Sequence, residues 1–521
     1  VVFLSIFSAT SRAQMLFRLL STCDGLKFVR TTHSLPDMNT QHSSDDFKDP
    51  SASLAETRER ASFDYSIDVI VAGAGAAGQC AAMAVADQGR DVWLLERDAT
   101  PKGSTAMSEG AIAAAGTKSQ LAAGVDDSGE RFFQDIMNKT HGTVDAEFAK
   151  AVAYGSGPTI DWLVETHGLP IAYDPDWEAV YGHTAKRLHK PPSGTGEELI
   201  SALASAAESA GVTLVNNATL VKAYRGEDGA VTGVCVERPN GDREDIGCGA
   251  LVLATCGFGA NERMIEENIP SMKDAFYWGH EGNDGIGIQI GRALGGAVKY
   301  MDAYQGLGLL AKAYGEIVHP SVMFEGGAIL NIHGERFENE LTDVSGQGAR
   351  IIAQPEQTGW VVFNERAFKT GMKTPQLAKL NDLGGVKKTS SLEELAGVIG
   401  CEAGPLKATL ADLDQAAQSN GTCAFGRPFK PTDAPSFPMY AAKVTGALFH
   451  TQGGLMVDGH GQVMDATGAL LPNLFAAGGT ARSISGPGPS GYLPAAGLCM
   501  AVTLGRLAGE QAAKVSAKTQ S

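Results

Sequence analysis

The stretch that most limits what this chain can become is IDVIVAGAGAAG, residues 67–78. Residues 67–72 are mostly apolar and β-branched in a short run, the pattern of a buried strand. Gly73, Gly75 and Gly78 follow as G-x-G-x-x-G. The first glycine permits a tight turn, the second lets backbone amides approach a ligand, and the third lets a helix pack on the strand. A small-residue helix is expected over Gln79–Gln88, then a second buried strand, DVWLLE, ending in Glu96. A carboxylate there accepts hydrogen bonds from a ribose diol, and a helix N-terminus attracts a pyrophosphate. Glycines alone mark many turns. Strand, glycine turn, helix, strand and acid in order make a dinucleotide-binding unit. The expected contacts here are Gly73, Ala74, Gly75, Ala76, Ala77, Gly78, Glu96 and Arg97.

A chain of 521 residues exceeds one simple core, so two domains, or one with a large insertion, are expected. Residues 145–167 and 194–210 have helical patterns, with Ser193 or Thr195 to cap the second. Residues 213–237 alternate like a small antiparallel meander. Residues 249–261 give a strand and a glycine turn. Residues 283–297 form a helix with Asn283 or Asp284 as N-cap, and an apolar-faced helix closes the chain.

The net charge of -17 disfavours nucleic acid and anionic membranes as partners. Eight cysteines show no CxxC and no zinc spacing, so no metal site is expected, and the thiols read as reduced in a cytoplasmic protein. No run of 18 apolar residues would span a membrane. The first twenty residues are apolar, contain arginine and lack acids, like a targeting segment. They also lack an initiator methionine, and Met38 precedes a polar stretch, as in a mis-started reading frame. Residues 1–62 are therefore set outside the fold as a disordered or mis-annotated tail.

Four later segments resemble one family. KGSTAMSEGAIAAAGT (102–117) resembles the segment along the flavin in the fumarate reductase / succinate dehydrogenase flavoprotein superfamily, which includes the 3-ketosteroid dehydrogenases. LVLATCGFGAN (251–261) resembles its second cofactor strand, and NIHGERFENE (331–340) its N-x-x-G-x-R-F-x-N-E signature. LPNLFAAGG with TLGRLAG (471–479, 503–509) resembles its C-terminal cofactor segment. The resemblance implies FAD, held in a Rossmann-like parallel-sheet α/β domain (66–300 and 450–515) interrupted by an α+β capping domain (301–449). It adds Ser104, Thr105, Ser108, Gly110, Ala111, Val221, Ala254, Thr255, Gly257, Asp284, Gly478, Gly479, Gly491, Ala495 and Ala496 as FAD contacts. The histidine that tethers flavin covalently in some members is matched near Ser104, so non-covalent FAD is expected. Cys256 stands where the family usually has glycine, and Gly479 replaces an acid.

The family chemistry is hydride transfer at a carbon–carbon bond beside an activating group, with charge gathering on the activating carbonyl. In fumarate reductases an arginine in N-E-x-T-x-R donates the proton, and a second, before the last helix, clamps a carboxylate. Here NELTDV puts Val344 in the first place, and Gly491 occupies the second. Neither replaces a bidentate clamp, so a fumarate reductase is not expected. The uncharged loop SISGPGPSGYLPAAG (483–497) offers Tyr492 instead, as the ketosteroid dehydrogenases offer a tyrosine to a ketone oxygen. His450 in LFHTQGG matches a histidine that bonds a substrate carbonyl. His319 in IVHPSVMFEGG, and Tyr304 and Tyr300 near the crossing, are further candidates. Arg336 and Glu340 belong to the signature, and Arg336 is structural by resemblance.

Three functions follow. The first is dehydrogenation, or the reverse reduction, of a ketone or ketosteroid-like substrate. The second is the corresponding chemistry on an unsaturated acid of fumarate, urocanate or tricarballylate type, with Arg482, Arg350 or Arg187 as the clamp. The third is an electron-carrying flavoprotein without substrate chemistry. With no CxxCH haem motif, electrons pass to or from a diffusible agent or another subunit.

Overall fold

The computed structural model describes residues 54–518. The first elements are β1 (Ala55–Thr57), β2 (Ser66–Ala72), the helix α1 (Ala76–Ala86) and β3 (Val92–Leu95). Val69, Ile70, Val71 and Leu94 are fully buried, as a strand covered on both faces requires. α1 starts three residues before the expected Gln79, directly after the glycine turn. Ten of its eleven residues are buried and most are small, so a second helix can approach it closely. That helix is the terminal one, Ala496–Lys518. A Cβ on its Gly505 would lie 2.3 Å from Ala77 O, and one on Gly509 2.1 Å from Ala81 O. The glycines of TLGRLAG thus set the helix–helix distance.

The first sheet has nine strands. β2 pairs in parallel with β3, and β3 with Thr213–Val215. On the other side of β2 runs Arg243–Leu253. Its second half is parallel to β2 and to Leu470–Ala476, and its first half is antiparallel to Val231–Glu237. The expected meander holds for Thr219–Arg225 with Val231–Glu237, but Thr213–Val215 has left it to join β3. Asn217, at φ +53°, breaks the strand between them. β1 pairs in parallel with Thr219–Arg225, so the fold includes residues that were expected to lie in the tail. The hydrogen bond from Arg58 to Asp245 fastens this edge. Residues 1–53, including Met38, lie outside the described residues.

The second sheet runs Glu316–Ile317, Tyr304–Ala311, Met439–Thr451, Gly359–Asn364, Ala328–Leu330, antiparallel throughout that path. Phe276–Tyr277 joins it from earlier in the chain, in parallel beside Ala447 and Leu448 of Met439–Thr451. The signature after Ala328–Leu330 closes on itself. Arg336 donates to both oxygens of Glu340, at 2.9 and 2.8 Å, and Arg427 donates at 2.8 Å. Burial opposes the charge, but the two guanidinium groups hold the Glu340 carboxyl below its usual range.

Thr195 caps the helix Gly196–Ser209 through Glu198 N. The helix Ile286–Ala293 is capped by neither Asn283 nor Asp284. Its N-cap is Gly285, at φ +79°, and Asp284 Oδ1 accepts from Ile286 N instead. Among the described residues, no helix is long and apolar enough to cross a membrane, and no cluster of side chains is placed to hold a metal ion.

Candidate active site

Gly73 takes φ +101° and a Cβ there would lie 2.5 Å from Ala254 O. A Cβ on Gly78 would lie 1.8 Å from Gly73 O. Gly75, the N-cap of α1, differs: a Cβ there would meet only Thr105 Oγ1, at 3.5 Å. The turn is closed at two glycines and open at the third, at the N-terminus of α1. This fits a dinucleotide phosphate. Thr105 Oγ1 accepts from Ala76 N at 3.0 Å. Glu96, mostly buried, accepts from Ala74 N and Asp98 N, each at 3.0 Å, and burial raises its carboxyl above the usual range. It therefore braces the glycine turn. Ala77 touches the space beside Gly478, which takes φ +60°. Arg97 lies 3.7 Å from Asp284.

The segment after β3 folds over this turn. Ser108 Oγ donates to Thr105 O and accepts from Gly110 N. A Cβ on Gly110 would lie 2.6 Å from Thr195 O, which fixes how the half-buried Ala111 enters its short strand. Ser104 Oγ accepts from Asn283 Nδ2 at 2.9 Å and lies 3.5 Å from Cys256 Sγ. Cys256 takes φ +66°, the left-handed backbone suited to the glycine expected there. Ala254 N donates to Ala72 O, and Thr255 Oγ1 accepts from Gly287 N. Gly257 has no open side, since a Cβ would lie 2.1 Å from Thr451 Oγ1. Gly479 packs on Gly257 and Cys256, while Val221 is half-buried on Thr219–Arg225. The contacts of Asn283 with Ser104, and of Thr451 Oγ1 with Phe258 N, were not anticipated. They join distant segments and leave no periodic trace.

The loop 483–497 packs tightly on itself before the terminal helix. A Cβ on Gly491 would lie 1.9 Å from Ser485 O, so no arginine fits that position in this backbone. Ala495 takes φ +61° and Ala496 opens the helix. A buried relay anchors the loop. Asp127 and Asp135 hold Arg187, Arg187 lies 3.4 Å from His183 Nδ1, and His183 Nε2 lies 3.0 Å from Pro494 O. Arg187 is fully buried in this role and is not a spare cation. Arg350 pairs with Glu338 and approaches Asp343, and Arg482 pairs with Asp145 at 3.2 Å.

Tyr492 and His450 come together, with ring centroids 6.0 Å apart and edge to face. Burial, with the charge of Glu109, raises the Tyr492 phenol well above its usual range. Burial pushes the His450 imidazole down to about 4, so it is neutral at pH 7. Its Nδ1 lies 3.0 Å from Gln452 Nε2. The other two candidates do not join them. Tyr304 faces Thr451 and Gln305 faces His450 in the strand register, so Tyr304 and His450 point to opposite faces. Tyr304 sits in an apolar cluster with Phe258, Met272 and Leu448, and burial raises it to about 12. His319 turns back on its own segment, with Nδ1 accepting from Ser321 N at 3.2 Å. Tyr300 is used up between Thr143 O and Asp145 N.

Lys139 was not anticipated. Its stem runs beside Gly182 and Leu493, and burial lowers its ammonium while the charge of Asp343 opposes this. Nearby, a cavity of about 390 Å³ is lined by Tyr304, Asp343, Arg350 and Ser490 among others.

The chain, with a glycine turn of dinucleotide type on a parallel sheet beside an antiparallel second sheet, belongs to the FAD binding domain family, whose model matches residues 68–491. It is an FAD-dependent oxidoreductase. A probable fumarate reductase of Shewanella frigidimarina (strain NCIMB 400) is 31% identical over 450 residues, covering 86% of this chain and 74% of that protein. The open conformation of a flavocytochrome c3 fumarate reductase superposes with a TM-score of 0.74 at 29% identity, covering 88% of this chain and 79% of that one. The 3-ketosteroid-Δ4-(5α)-dehydrogenase of Rhodococcus jostii RHA1, in complex with 4-androstene-3,17-dione, gives a TM-score of 0.73 at 25% identity, covering 88% and 99%.

Proposed function

We propose that this chain dehydrogenates, or in reverse reduces, a carbon–carbon bond beside the carbonyl of a neutral ketone. The observation that carries this is the uncharged His450–Tyr492 pair, set beside a loop that admits no side chain at Gly491. When bound, FAD supplies hydride exchange with the substrate carbon. The protein's own part is to hold the carbonyl oxygen. Tyr492 O–H and the His450 imidazole donate to it, and these bonds strengthen as negative charge builds there. Arg187, Arg350 and Arg482, the arginines offered as a clamp, are each paired with carboxylates.

Ser104, whose hydroxyl faces Asn283, supports non-covalent FAD. The division into an FAD domain (66–300, 450–515) and a cap (301–449) belongs to the same reading. So does a cytoplasmic location, supported by seven unpaired cysteines among the described residues. The electron partner is a diffusible agent or another protein.

Lys139 favours a second reading, in which its ammonium meets the carboxylate of an unsaturated acid. The two separate by experiment. Anaerobic bleaching of the flavin by saturated cyclic ketones is expected, slowed about 100-fold by Tyr492→Phe with FAD content unchanged. If Tyr492→Phe keeps the full rate, Tyr492 does not hold the carbonyl. If only acids react, and Lys139→Met raises their KM tenfold or more, the second reading stands.

A further inference from the structure

The neutral imidazole of His450 has two tautomers, and only one can donate from Nε2. Nε2 and Cε1 face the start of the terminal helix, close enough that a Cβ on Gly497 would lie 3.3 and 3.2 Å away. The other ring nitrogen, Nδ1, faces Gln452 Nε2 at 3.0 Å. An amide nitrogen donates and never accepts, so Nδ1 must be the acceptor in this pair. Nδ1 has a second neighbour, the Thr451 carbonyl at 3.4 Å, to which it would donate in the other tautomer.

What decides between them is how the Gln452 amide is held. Its Oε1 accepts from Ser485 Oγ at 3.1 Å. Ser485 Oγ in turn accepts from Ser483 Oγ at 2.9 Å, and Ser483 Oγ accepts from Ser485 N at 2.9 Å. The backbone locks the same pieces together: Gln452 N donates to Ala303 O, and Ser483 N donates to Gln452 O. Gln452, Ser483 and Ser485 are all buried. A backbone amide therefore starts a chain of hydrogen bonds that ends at His450 Nδ1.

We propose that Gln452, held by Ser485 and Ser483, is a positioning residue that keeps the His450 proton on Nε2, making this imidazole a fixed neutral donor toward a substrate oxygen. This rests on the carbonyl-holding role proposed for His450 and deepens it. A neutral donor suits a ketone or enolate oxygen. It also means that His450 is not the group that transfers the substrate proton, because its one proton stays engaged as a donor. The loop 483–497 then does two things at once: it presents Tyr492, and through Ser485 it sets the tautomer of the ring beside it.

Tyr492 is the titratable neighbour on the loop, Glu109 is the charge that reaches the Tyr492 phenol, and Gln305 is opposite on Tyr304–Ala311. The test is the long-range proton–nitrogen spectrum of holoprotein labelled with ¹⁵N-histidine, with His450→Asn to assign the signal by its loss. The Nε2–H pattern is expected, unchanged from pH 6 to pH 9. Gln452→Glu places a carboxylate against Nδ1 and is expected to give an Nδ1–H or doubly protonated ring. Gln452→Met, which cannot donate, is expected to give a mixed pattern and about a tenfold slower flavin half-reaction with a ketone, at unchanged FAD content. An Nδ1–H pattern in the unaltered protein, or a His450 signal that moves in neither variant, would overturn the proposal. If the tautomer is as expected but His450→Ala keeps the full half-reaction rate, the carbonyl-holding role of His450 fails instead.

Discussion

Single residues carry two different kinds of constraint here. Gly491 is constrained by space, because Ser485 O occupies the position of any Cβ. Gly491→Ala must move the loop, and with it Tyr492. A loss of tenfold or more in the ketone half-reaction is expected, with the bound-flavin spectrum retained. Glu340 is constrained by charge, since two buried guanidinium groups share its carboxylate. Glu340→Gln leaves them undercompensated, and a loss of about 3–5 kcal/mol is expected in denaturant unfolding. A loss below 1 kcal/mol would mean that water already screens the cluster.

The elements around the cofactor were the legible part of the sequence. β2, α1 and β3 announce themselves because a buried strand, a glycine turn and a small-residue helix each leave a local pattern. Gly78→Val should destroy this unit, since even a Cβ there would lie 1.8 Å from Gly73 O. The purified variant is expected without the flavin absorbance near 450 nm. The substrate side was legible only in part. His450 and Tyr492 lie in recognisable segments, whereas strand register, not sequence distance, decides which face Tyr304 takes. Gln452, Ser485 and Lys139 act through contacts between distant segments, so no local periodicity marks them. The strand Thr213–Val215 was taken for part of a meander for the same reason: its partner β3 lies over a hundred residues earlier.

At the scale of the whole molecule, buried titratable groups set the response to pH. Burial pushes His183, His189 and His450 each down to about 4, against about 6.5 in an unfolded chain. Between those values the unfolded chain takes up protons that the folded one refuses. Stability therefore falls as pH drops from 6.5 to 4, by up to about 3 kcal/mol per group. Glu338, raised by burial to about 7, works the other way and offsets roughly one of the three. A lower urea midpoint at pH 5 than at pH 7.5 is expected for the holoprotein, and equal midpoints would show that these histidines are hydrated. The central claim concerns the substrate, and one stopped-flow comparison tests it most directly. Dithionite-reduced holoprotein is mixed anaerobically with a cyclic enone, and separately with fumarate, while flavin reoxidation is followed. Fast reoxidation by the enone and little by fumarate is the predicted result. Fast reoxidation by fumarate, with the enone inert, would contradict a carbonyl site built on Tyr492 and His450.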